Sequence, residues 1–427
     1  MKHVVIIGGG ISGLCSAYYL VKEGYQVKVL DKNDFTKGAS FINAGYIVPS
    51  HFISMAAPGM INKGLKWMLN SSSPFYIKPR FDAEFFKWAL HFKRASTAQR
   101  VESSIPVLKG LNLKSRELYE EMLASTDFPF HYANDGLLMV YNSTEGEEEE
   151  LKIAERAVTE GLEAEQLSNL ELRRLQPAFS KDIIGAVHYK CDSHTTPQFF
   201  MANLKKWLEE KGVEFYLQQE VRNIHTSHGR IVAVETQDRS FEAEEFVLAA
   251  GSWTQDLAKS LGLNIPIQGG KGYSTNVYRP LDISIPAILV EAKVAVTPMD
   301  GLTRCAGTMV FSGNNSIIRK NRVEAIANAV STYYPQIKVS EEEKAAAVSG
   351  LRPVSPDGLP FIGRSRLFSN LTLGAGHGMM GWSLGPVTGK LIAQTITNQK
   401  PLLDTQALNP DRFHLKRKNI DLKNPIS

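Results

Sequence analysis

The stretch that decides the fold is residues 1–31, MKHVVIIGGGISGLCSAYYLVKEGYQVKVLD. His3–Ile7 is a short, mostly β-branched apolar run, which is typical of a strand buried on both faces of a parallel sheet. Residues 12–24 carry apolar side chains at helical spacing, and Gln26–Leu30 predicts a second strand that ends at Asp31. The stretch therefore predicts a strand, a glycine-rich turn, a helix and a second strand.

Gly8, Gly10 and Gly13 in the turn fit the pattern G-x-G-x-x-G. Gly8 permits a tight turn, Gly10 lets a diphosphate touch the backbone, and Gly13 lets helix and strand pack closely. The helix N-terminus offers free N–H groups and a positive dipole end to the diphosphate. A carboxylate at Asp31 suits a ribose diol. The pattern alone is a weak signal, but its position between strand and helix favours a dinucleotide site over a turn without a ligand.

Composition narrows the class of protein. The chain has 427 residues, 43% hydrophobic and 22% charged, so we expect about two globular domains. A net charge of +4 argues against nucleic acid as a main partner. Cys15, Cys191 and Cys305 are far apart and lack metal-ligand spacing, so no metal site is predicted and a reducing compartment is expected.

The membrane features of the sequence leave two interpretations open. No secretion signal precedes the first strand, and the apolar stretch 371–396 contains six glycines, so it predicts a glycine-rich loop and helix instead of a span. We expect a cytoplasmic protein. Residues 55–100 interleave aromatic and cationic side chains, which predicts either a surface on anionic lipid, at the inner face of the cytoplasmic membrane, or amphipathic helices with a buried aromatic face. The side chains concerned include Lys63, Lys66, Trp67, Lys87, Trp88 and Phe92.

Later segments extend the pattern. Residues 128–141 alternate around Asn134-Asp135-Gly136, which predicts a hairpin. Residues 246–254 predict a second buried strand running into Gly251, and 268–307 an antiparallel set of strands. Residues 371–398 repeat the opening order of strand, glycine-rich loop and helix, so a second loop presents N–H groups to the same ligand.

Together these segments resemble the FAD-dependent D-amino acid oxidase superfamily, and most closely the bacterial D-amino acid dehydrogenase small-subunit family. The resemblance covers nearly the whole chain. The matching segments are 8–13 with Asp31, 40–45 (SFINAG), 66–68 (KWM), 271–274 (KGYS), 350–353 (GLRP) with 356–358 (PDG), and 376–378 (GHG) with Gly381 and Trp382.

The resemblance implies an α/β fold with a doubly wound, glutathione-reductase-type FAD domain and an α+β substrate domain with a mixed or antiparallel sheet. Residues 1–80, 185–262 and 345–427 are expected to form the FAD domain, and 81–184 with 263–344 the substrate domain. The residues expected to hold FAD are Gly8, Gly10, Ile11, Ser12, Gly13, Asp31, Lys32, Ser40, Asn43, Ala44, Gly45, Val221, Gly251, Trp253, Gly376, Gly378, Met379, Met380 and Gly381.

The resemblance also suggests substrate residues. The guanidinium of Arg352 is expected to bind a substrate carboxylate, although an ion pair with Asp357 explains the residue equally well without the family. Tyr273 either shares the carboxylate or is a buried sheet tyrosine. His377 acts as a base or, as the family favours, shapes the flavin loop.

Two departures from the family matter. Some relatives attach the flavin through a histidine at the position of Asn43 or a cysteine near Met379, and neither nucleophile is present, so a non-covalent FAD is expected. The segment 308–311 lacks an acid expected in typical members, which suggests a shift toward D-proline or a hydroxy-D-proline.

The implied reaction is hydride transfer from Cα of a D-amino acid to flavin N5, which gives an imine and then a 2-oxo acid and ammonia. The expected partners are the amino acid and a membrane quinone or another electron acceptor, with peripheral membrane association as an option. The alternatives are an oxygen-using oxidase of D-amino acids, glycine or sarcosine, and a flavin-binding scaffold without turnover.

Overall fold

The structure is a computed structural model that describes residues 2–59 and 74–414. Its helices and strands, in chain order, are numbered here within those ranges. The helices are α1 (Ile11–Lys22), α2 (Ala83–Ala95), α3 (Ala98–Ser125), α4 (Thr144–Thr159), α5 (Asn169–Leu175), α6 (Pro197–Glu210), α7 (Thr254–Ser260), α8 (Lys320–Tyr333), α9 (Glu341–Ala345) and α10 (Gly385–Thr397). The strands of the first half are β1 (His3–Ile7), β2 (Gln26–Leu30), β3 (Tyr46–Ile47), β4 (Phe75–Ile77), β5 (Tyr132–Ala133), β6 (Leu137–Tyr141), β7 (Ala164–Ser168), β8 (Gly185–Tyr189), β9 (Ser193–Thr195) and β10 (Glu214–Tyr216). Those of the second half are β11 (Asn223–Ser227), β12 (Arg230–Glu235), β13 (Ser240–Glu242), β14 (Glu245–Leu248), β15 (Gln268–Val277), β16 (Ala287–Leu289), β17 (Val294–Met299), β18 (Leu302–Phe311), β19 (Val348–Val354), β20 (Phe361–Arg364) and β21 (Leu371–Ala375).

The first sheet has the strand order β10-β2-β1-β14-β21-β20. Its strands are parallel from β10 to β21, and β20 pairs antiparallel at the edge. Val4 and Ile6 of β1 pack in the core with α1, α6 and α10, while Val5 and Ile7 pack in the core on the opposite face with β13 and α7. A strand covered on both faces must be apolar throughout, which is why β1 reads as a continuous hydrophobic run.

The second sheet is larger and mixed, with the order β19-β15-β18-β17-β16-β6-β8-β7 and β4 added beside β18. Strands β15 to β19 pair antiparallel in the described register, whereas β16 and β6 run parallel. One face packs on α8 through Ile326 and Val330. The antiparallel set predicted over 268–307 is confirmed. The division into two domains remains a prediction. Strands β4, β8 and β19 of this large sheet come from ranges that the predicted division assigns to the FAD domain.

The hairpin predicted around Asn134-Asp135-Gly136 is wrong. Strand β5 pairs with β9 in a small three-stranded sheet, and β6 pairs with β8 and β16 in the large sheet. Gly136 adopts a φ of 81°, as a tight turn requires, but the chain uses the turn to pass from one sheet to another. Pairing partners distant in sequence therefore override the local hairpin signal.

Helix α2 decides between the two interpretations for part of the aromatic and cationic segment. Trp88 is only 5% exposed and stacks between Phe85 and Phe92, in a cluster with Met309 and Val354. This part of the segment is an amphipathic helix with a buried aromatic face. Lys63, Lys66 and Trp67 lie outside the described residues, as does the 66–68 motif. Within the described ranges, no helix has the length and apolar character needed to cross a bilayer.

Candidate cofactor and substrate site

A cavity of about 730 Å³ extends from the carboxyl ends of β1, β2 and β14 to one face of the large sheet. That volume is in the range of small-molecule and cofactor sites. The cavity brings together most of the residues predicted from the sequence, including Arg352. Three predicted glycines do not border it, and each packs behind the wall. These are Gly13 of α1 against the Gly8 carbonyl, Gly45 against the Thr195 carbonyl, and Gly376 against the Phe361 ring.

The turn from β1 into α1 is built on the close approach of Gly13 to Gly8. A Cβ atom on Gly13 would lie 1.9 Å from the Gly8 carbonyl oxygen, so no side chain fits there. This contact sets the start of α1 against the end of β1, and Gly10, Ile11 and Ser12 then border the cavity. The first-turn N–H groups of a helix have no partner inside the helix, so they are suited to a diphosphate.

Asp31 lies beside this turn at the end of β2. Its carboxylate accepts the Gly9 N–H at 2.8 Å and the Asn33 N–H at 2.7 Å. Burial raises the pKa of Asp31, and these two hydrogen bonds oppose the shift. The Ser40 hydroxyl accepts the Ile11 N–H at 3.0 Å, so the predicted loop 40–45 lies directly on the N-terminus of α1. The acid and the loop are held by backbone N–H groups, which fits a rigid nucleotide-binding end.

Lys32, Val221, Gly251 and Trp253 border the same end of the cavity. The Lys32 ammonium lies 3.4 Å from the centre of the Trp253 indole ring, a cation–π contact. Burial lowers the pKa of Lys32. The Gln219 N–H donates to the Asp31 carbonyl at 2.8 Å and so links the Val221 loop to β2. The structure thus brings four of the residues predicted to hold FAD to one end of the cavity.

The glycine-rich loop after β21 forms another part of the wall through Gly378, Met379, Met380 and Gly381. His377 is buried, and its Nε2 lies 2.9 Å from the Thr388 hydroxyl of α10. Burial lowers the pKa of His377 to about 4, so the imidazole is neutral at pH 7. The ring joins the loop to α10, which is the arrangement expected of a residue that shapes the loop.

Arg352 of β19 places its guanidinium at the cavity without an acidic partner in the described chain. Its Nη1 donates to the Thr308 carbonyl at 2.7 Å. Burial lowers its pKa to about 10, which still leaves the group charged at neutral pH. Asp357, the alternative partner considered from the sequence, instead forms a bidentate ion pair with Arg412 at 2.8 and 3.1 Å. A half-buried cation that faces a cavity, with no counter-ion among the described residues, is suited to an anionic ligand.

Tyr273 is not brought together with Arg352. It borders the cavity, but its ring belongs to the apolar core between the large sheet and α8. Burial raises the pKa of its phenol, while Arg319 and Arg322 oppose the shift. Side chains alternate along a strand, so a guanidinium packed on Gly272 leaves Tyr273 on the opposite face of β15.

Thr308 is a feature of the site that could not be predicted from the sequence. It has a φ of 64°, which is unusual for a threonine, at a point where the register between β15 and β18 shifts. The bulge turns the Thr308 carbonyl toward Arg352, and the Thr308 hydroxyl is buried without a recorded partner. In the sequence, the 308–311 segment is distinguished only by the acid that it lacks, because no sequence pattern predicts a bulge there.

Gly272 gives the guanidinium its place. A Cβ atom there would lie 2.3 Å from Arg352 Nη1 and 2.5 Å from its Cζ. We expect Gly272→Ala to displace the flexible guanidinium without disturbing the sheet. The KM of a carboxylate substrate should rise about 10- to 100-fold, the loss expected for a charged hydrogen bond.

The measurement is steady-state kinetics, with Gly270→Ala as the matched control. In that variant the new methyl group meets Met309 Sδ at 2.2 Å instead of Arg352. If the KM of Gly272→Ala equals that of the control, the position of Arg352 does not depend on the space left by the missing side chain of Gly272.

Comparisons with known proteins establish the family of the chain. A family model described as FAD dependent oxidoreductase matches residues 3–395. The chain belongs to this family of FAD-dependent oxidoreductases, and FAD is its cofactor. It is 31% identical over 422 residues to a protein named D-amino acid dehydrogenase from Neisseria gonorrhoeae (strain NCCP11945), which covers 96% of this chain and 99% of that protein.

Solved structures show the same fold. Glycine oxidase from Geobacillus kaustophilus superposes with a TM-score of 0.77 at 21% identity, over 96% of this chain and 99% of the other. An L-α-glycerophosphate oxidase from Mycoplasma pneumoniae, solved with FAD bound, gives 0.69 at 17% identity, over 94% and 96%. The predicted class is confirmed: a parallel Rossmann-like sheet combined with a mixed sheet.

Proposed function

We propose that this chain oxidises a D-amino acid at Cα and passes the electrons to a quinone-type acceptor. The observation that carries the proposal is the Arg352 guanidinium, which is charged, half-buried at the cavity wall, and without an acidic partner in the described chain. The full-length similarity to proteins named D-amino acid dehydrogenase supports the same reaction.

The residues of the substrate chamber have separate tasks. Arg352 binds the substrate carboxylate through two parallel hydrogen bonds. The Thr308 carbonyl, 2.7 Å from Nη1, holds the guanidinium in place, and Gly272 leaves it room. Apolar side chains from three strands of the large sheet, Met139, Ile288 and Ala295, also border the cavity. They keep the amine poorly hydrated, which lowers the pKa of the ammonium group and favours the neutral amine.

FAD, when bound, supplies the two-electron acceptor for the hydrogen on Cα. We assign its diphosphate to the Gly8–Gly13 turn with Ser40, its adenosine to Asp31, Lys32 and Val221, and its ring to the 376–381 loop. The N-terminus of α10 follows that loop and favours negative charge nearby. Asn43 Oδ1 accepts the Gly45 N–H at 2.9 Å, and an amide forms no covalent flavin link, so the cofactor is dissociable.

The charges of the cavity narrow the substrate. The acidic side chains on its described wall are Asp31, Glu220 and Asp256, all near the adenosine end. Among the described residues, no acidic side chain lies near Arg352 to pair with a cationic substrate side chain. We therefore propose a neutral D-amino acid and, among these, D-proline or a hydroxy-D-proline as first candidates. An open-chain imine then hydrolyses in water to a 2-oxo acid and ammonia, whereas a ring imine persists.

The test is anaerobic mixing of the FAD-loaded protein with D-alanine, D-proline, hydroxy-D-proline, D-arginine, glycine and sarcosine while flavin absorbance is followed. We expect rapid bleaching by neutral D-amino acids and slow bleaching by D-arginine, because the chamber offers its cation no counter-charge. Faster bleaching by glycine or sarcosine would favour the amine oxidase alternative. If no amino acid bleaches the flavin, the proposal is wrong.

The acceptor is tested in air with the best substrate of that panel. We expect little hydrogen peroxide and fast reduction of a soluble quinone. Stoichiometric peroxide at a rate equal to turnover would instead identify an oxidase.

A further inference from the structure

A polar chain leads from the cavity into the core beside β3 and β9. The Ser50 N–H donates to Asp192 Oδ1 at 3.0 Å, and the Ser50 hydroxyl donates to Asp192 Oδ2 at 2.5 Å. His51 Nδ1 lies 3.0 Å from the same hydroxyl oxygen. Asp192 is fully buried, whereas His51 borders the cavity. The three side chains thus connect a buried carboxylate to the substrate chamber.

While Asp192 is ionised, the hydrogen bonds of this chain determine where its protons lie. A serine hydroxyl has one proton, and Ser50 gives it to the Asp192 carboxylate, so its oxygen must accept from His51 Nδ1–H. His51 Nε2 then keeps a lone pair, and none of the described residues hydrogen-bonds to that nitrogen. The arrangement leaves a proton acceptor at the cavity, oriented by a serine and an aspartate.

His51 is also anchored to the end of the cofactor loop. Its N–H donates to the Val48 carbonyl at 3.1 Å, and the Val48 N–H donates to the Ser383 hydroxyl at 3.1 Å. Ser383 follows Gly381 and Trp382 and itself borders the cavity. The turn that bears His51 is therefore held against the loop assigned to the flavin ring.

We propose that His51 accepts the proton that the substrate ammonium must lose before oxidation, and that Ser50 relays charge to Asp192. This inference rests on the proposed oxidation of an amino acid. In the step, Nε2 gains the ammonium proton, Nδ1 gives its proton to the Ser50 oxygen, and Ser50 gives its own proton to Asp192. The products are a neutral amine, a neutral imidazole and a protonated Asp192, so atoms and charge balance.

The surrounding groups set the pH range of the relay. Burial lowers the pKa of His51 to about 4, and Lys293, between β16 and β17, adds to the shift. Burial raises the pKa of Asp192 to about 7, while Ser50, Cys191 and Arg116 of α3 oppose the shift. The relay needs an ionised Asp192, so it should work above pH 7 and fail as the pH falls through that value.

Glu150 of α4 is a further titratable group near Lys293, and burial raises its pKa to about 7 as well. It lies on the Lys293 side and makes no recorded hydrogen bond to His51. Glu150 is therefore not a member of the relay and acts on His51 only through its charge.

The kinetic test is anaerobic flavin reduction by the best D-amino acid of the panel, from pH 6 to 10. We expect His51→Gln to reduce about 100-fold more slowly at pH 7.5, in the range of lost proton-transfer catalysis. The remaining rate should rise about tenfold per pH unit, because only free amine then reacts. Ser50→Ala should show a smaller loss in the same direction.

His131→Gln is the matched control. His131 Nδ1 lies 3.0 Å from the Thr196 hydroxyl, an equivalent pair that does not border the cavity. The control should keep the wild-type rate and pH profile. A wild-type profile in both His51→Gln and Ser50→Ala would overturn the relay alone, whereas a wild type that no amino acid reduces would overturn the proposed function as well.

A second readout does not depend on turnover. In holoenzyme labelled with 15N-histidine, NMR should show His51 protonated at Nδ1 at pH 8. It should shift to the Nε2–H form as the pH falls through about 7, because a protonated Asp192 reverses the hydrogen bonds. Asp192→Asn should remove that transition, and an Nε2–H form of His51 at pH 8 in the wild type would contradict the relay.

Discussion

Arg352→Ala is expected to slow anaerobic flavin reduction by a D-amino acid about 30- to 5,000-fold. The reason is the loss of the charged hydrogen-bond partner of a substrate carboxylate enclosed in the cavity, which costs about 2–5 kcal/mol. Arg352 is suited to that task because, within residues 2–59 and 74–414, its side chain donates a hydrogen bond only to the Thr308 carbonyl, which leaves further donors for a ligand. The measurement is the limiting rate and half-saturation of stopped-flow flavin bleaching.

Two comparisons separate carboxylate binding from a general disturbance. Arg352→Lys retains the charge but not the bidentate geometry, so its loss should be intermediate. A substrate analogue without the carboxylate, such as pyrrolidine in place of D-proline, should react slowly and equally with wild type and Arg352→Ala. Unchanged reduction of the amino acid by Arg352→Ala would exclude the assignment.

Gly13→Ala is expected to cost the protein most of its bound FAD. The added methyl group would lie 1.9 Å from the Gly8 carbonyl oxygen, and backbone cannot yield as a side-chain end does. Helix α1 must therefore move away from β1, and its N-terminus leaves the diphosphate position. Overpacking of this kind costs about 1–3 kcal/mol, so FAD binding should weaken about 5- to 150-fold.

The measurement is FAD titration of apoprotein, followed by flavin fluorescence. Gly38→Ala is the control, because Gly38 borders the same cavity and its Cβ would meet its nearest neighbour only at 4.0 Å. That variant should bind FAD as the wild type does. Wild-type affinity in Gly13→Ala would mean that the turn does not hold the cofactor.

The first β-α-β unit was predictable because its determinants are local. The apolar run of β1, the three glycines and the acid at the end of β2 are contiguous, and β1 and β2 have the predicted bounds. Arg352 was singled out by a family motif; the structure places it on the cavity wall and pairs Asp357 with Arg412, and its role toward a substrate stays a prediction.

Other parts of the site could not be predicted from local sequence. The Ser50–Asp192 hydrogen bonds join residues 142 positions apart, so no spacing reveals them. The bulge at Thr308 depends on how β15 and β18 pair, and the turn at Gly136 depends on which sheets its flanking strands join. Tyr273 illustrates the same limit. The face of β15 on which its side chain lies follows from the packing of Arg352 on the preceding residue, Gly272, and this packing is not visible in the sequence.

The most direct test of the central claim compares the two enantiomers of one neutral amino acid with the same FAD-loaded protein. In the proposed reaction, the substrate carboxylate is fixed at Arg352 and the Cα hydrogen is directed at the cofactor. These two constraints together select one enantiomer of the amino acid. The D-enantiomer should bleach the flavin at least about 100-fold faster than the L-enantiomer, a difference of about 2.7 kcal/mol. Equal rates, or faster bleaching by the L-enantiomer, would contradict the account.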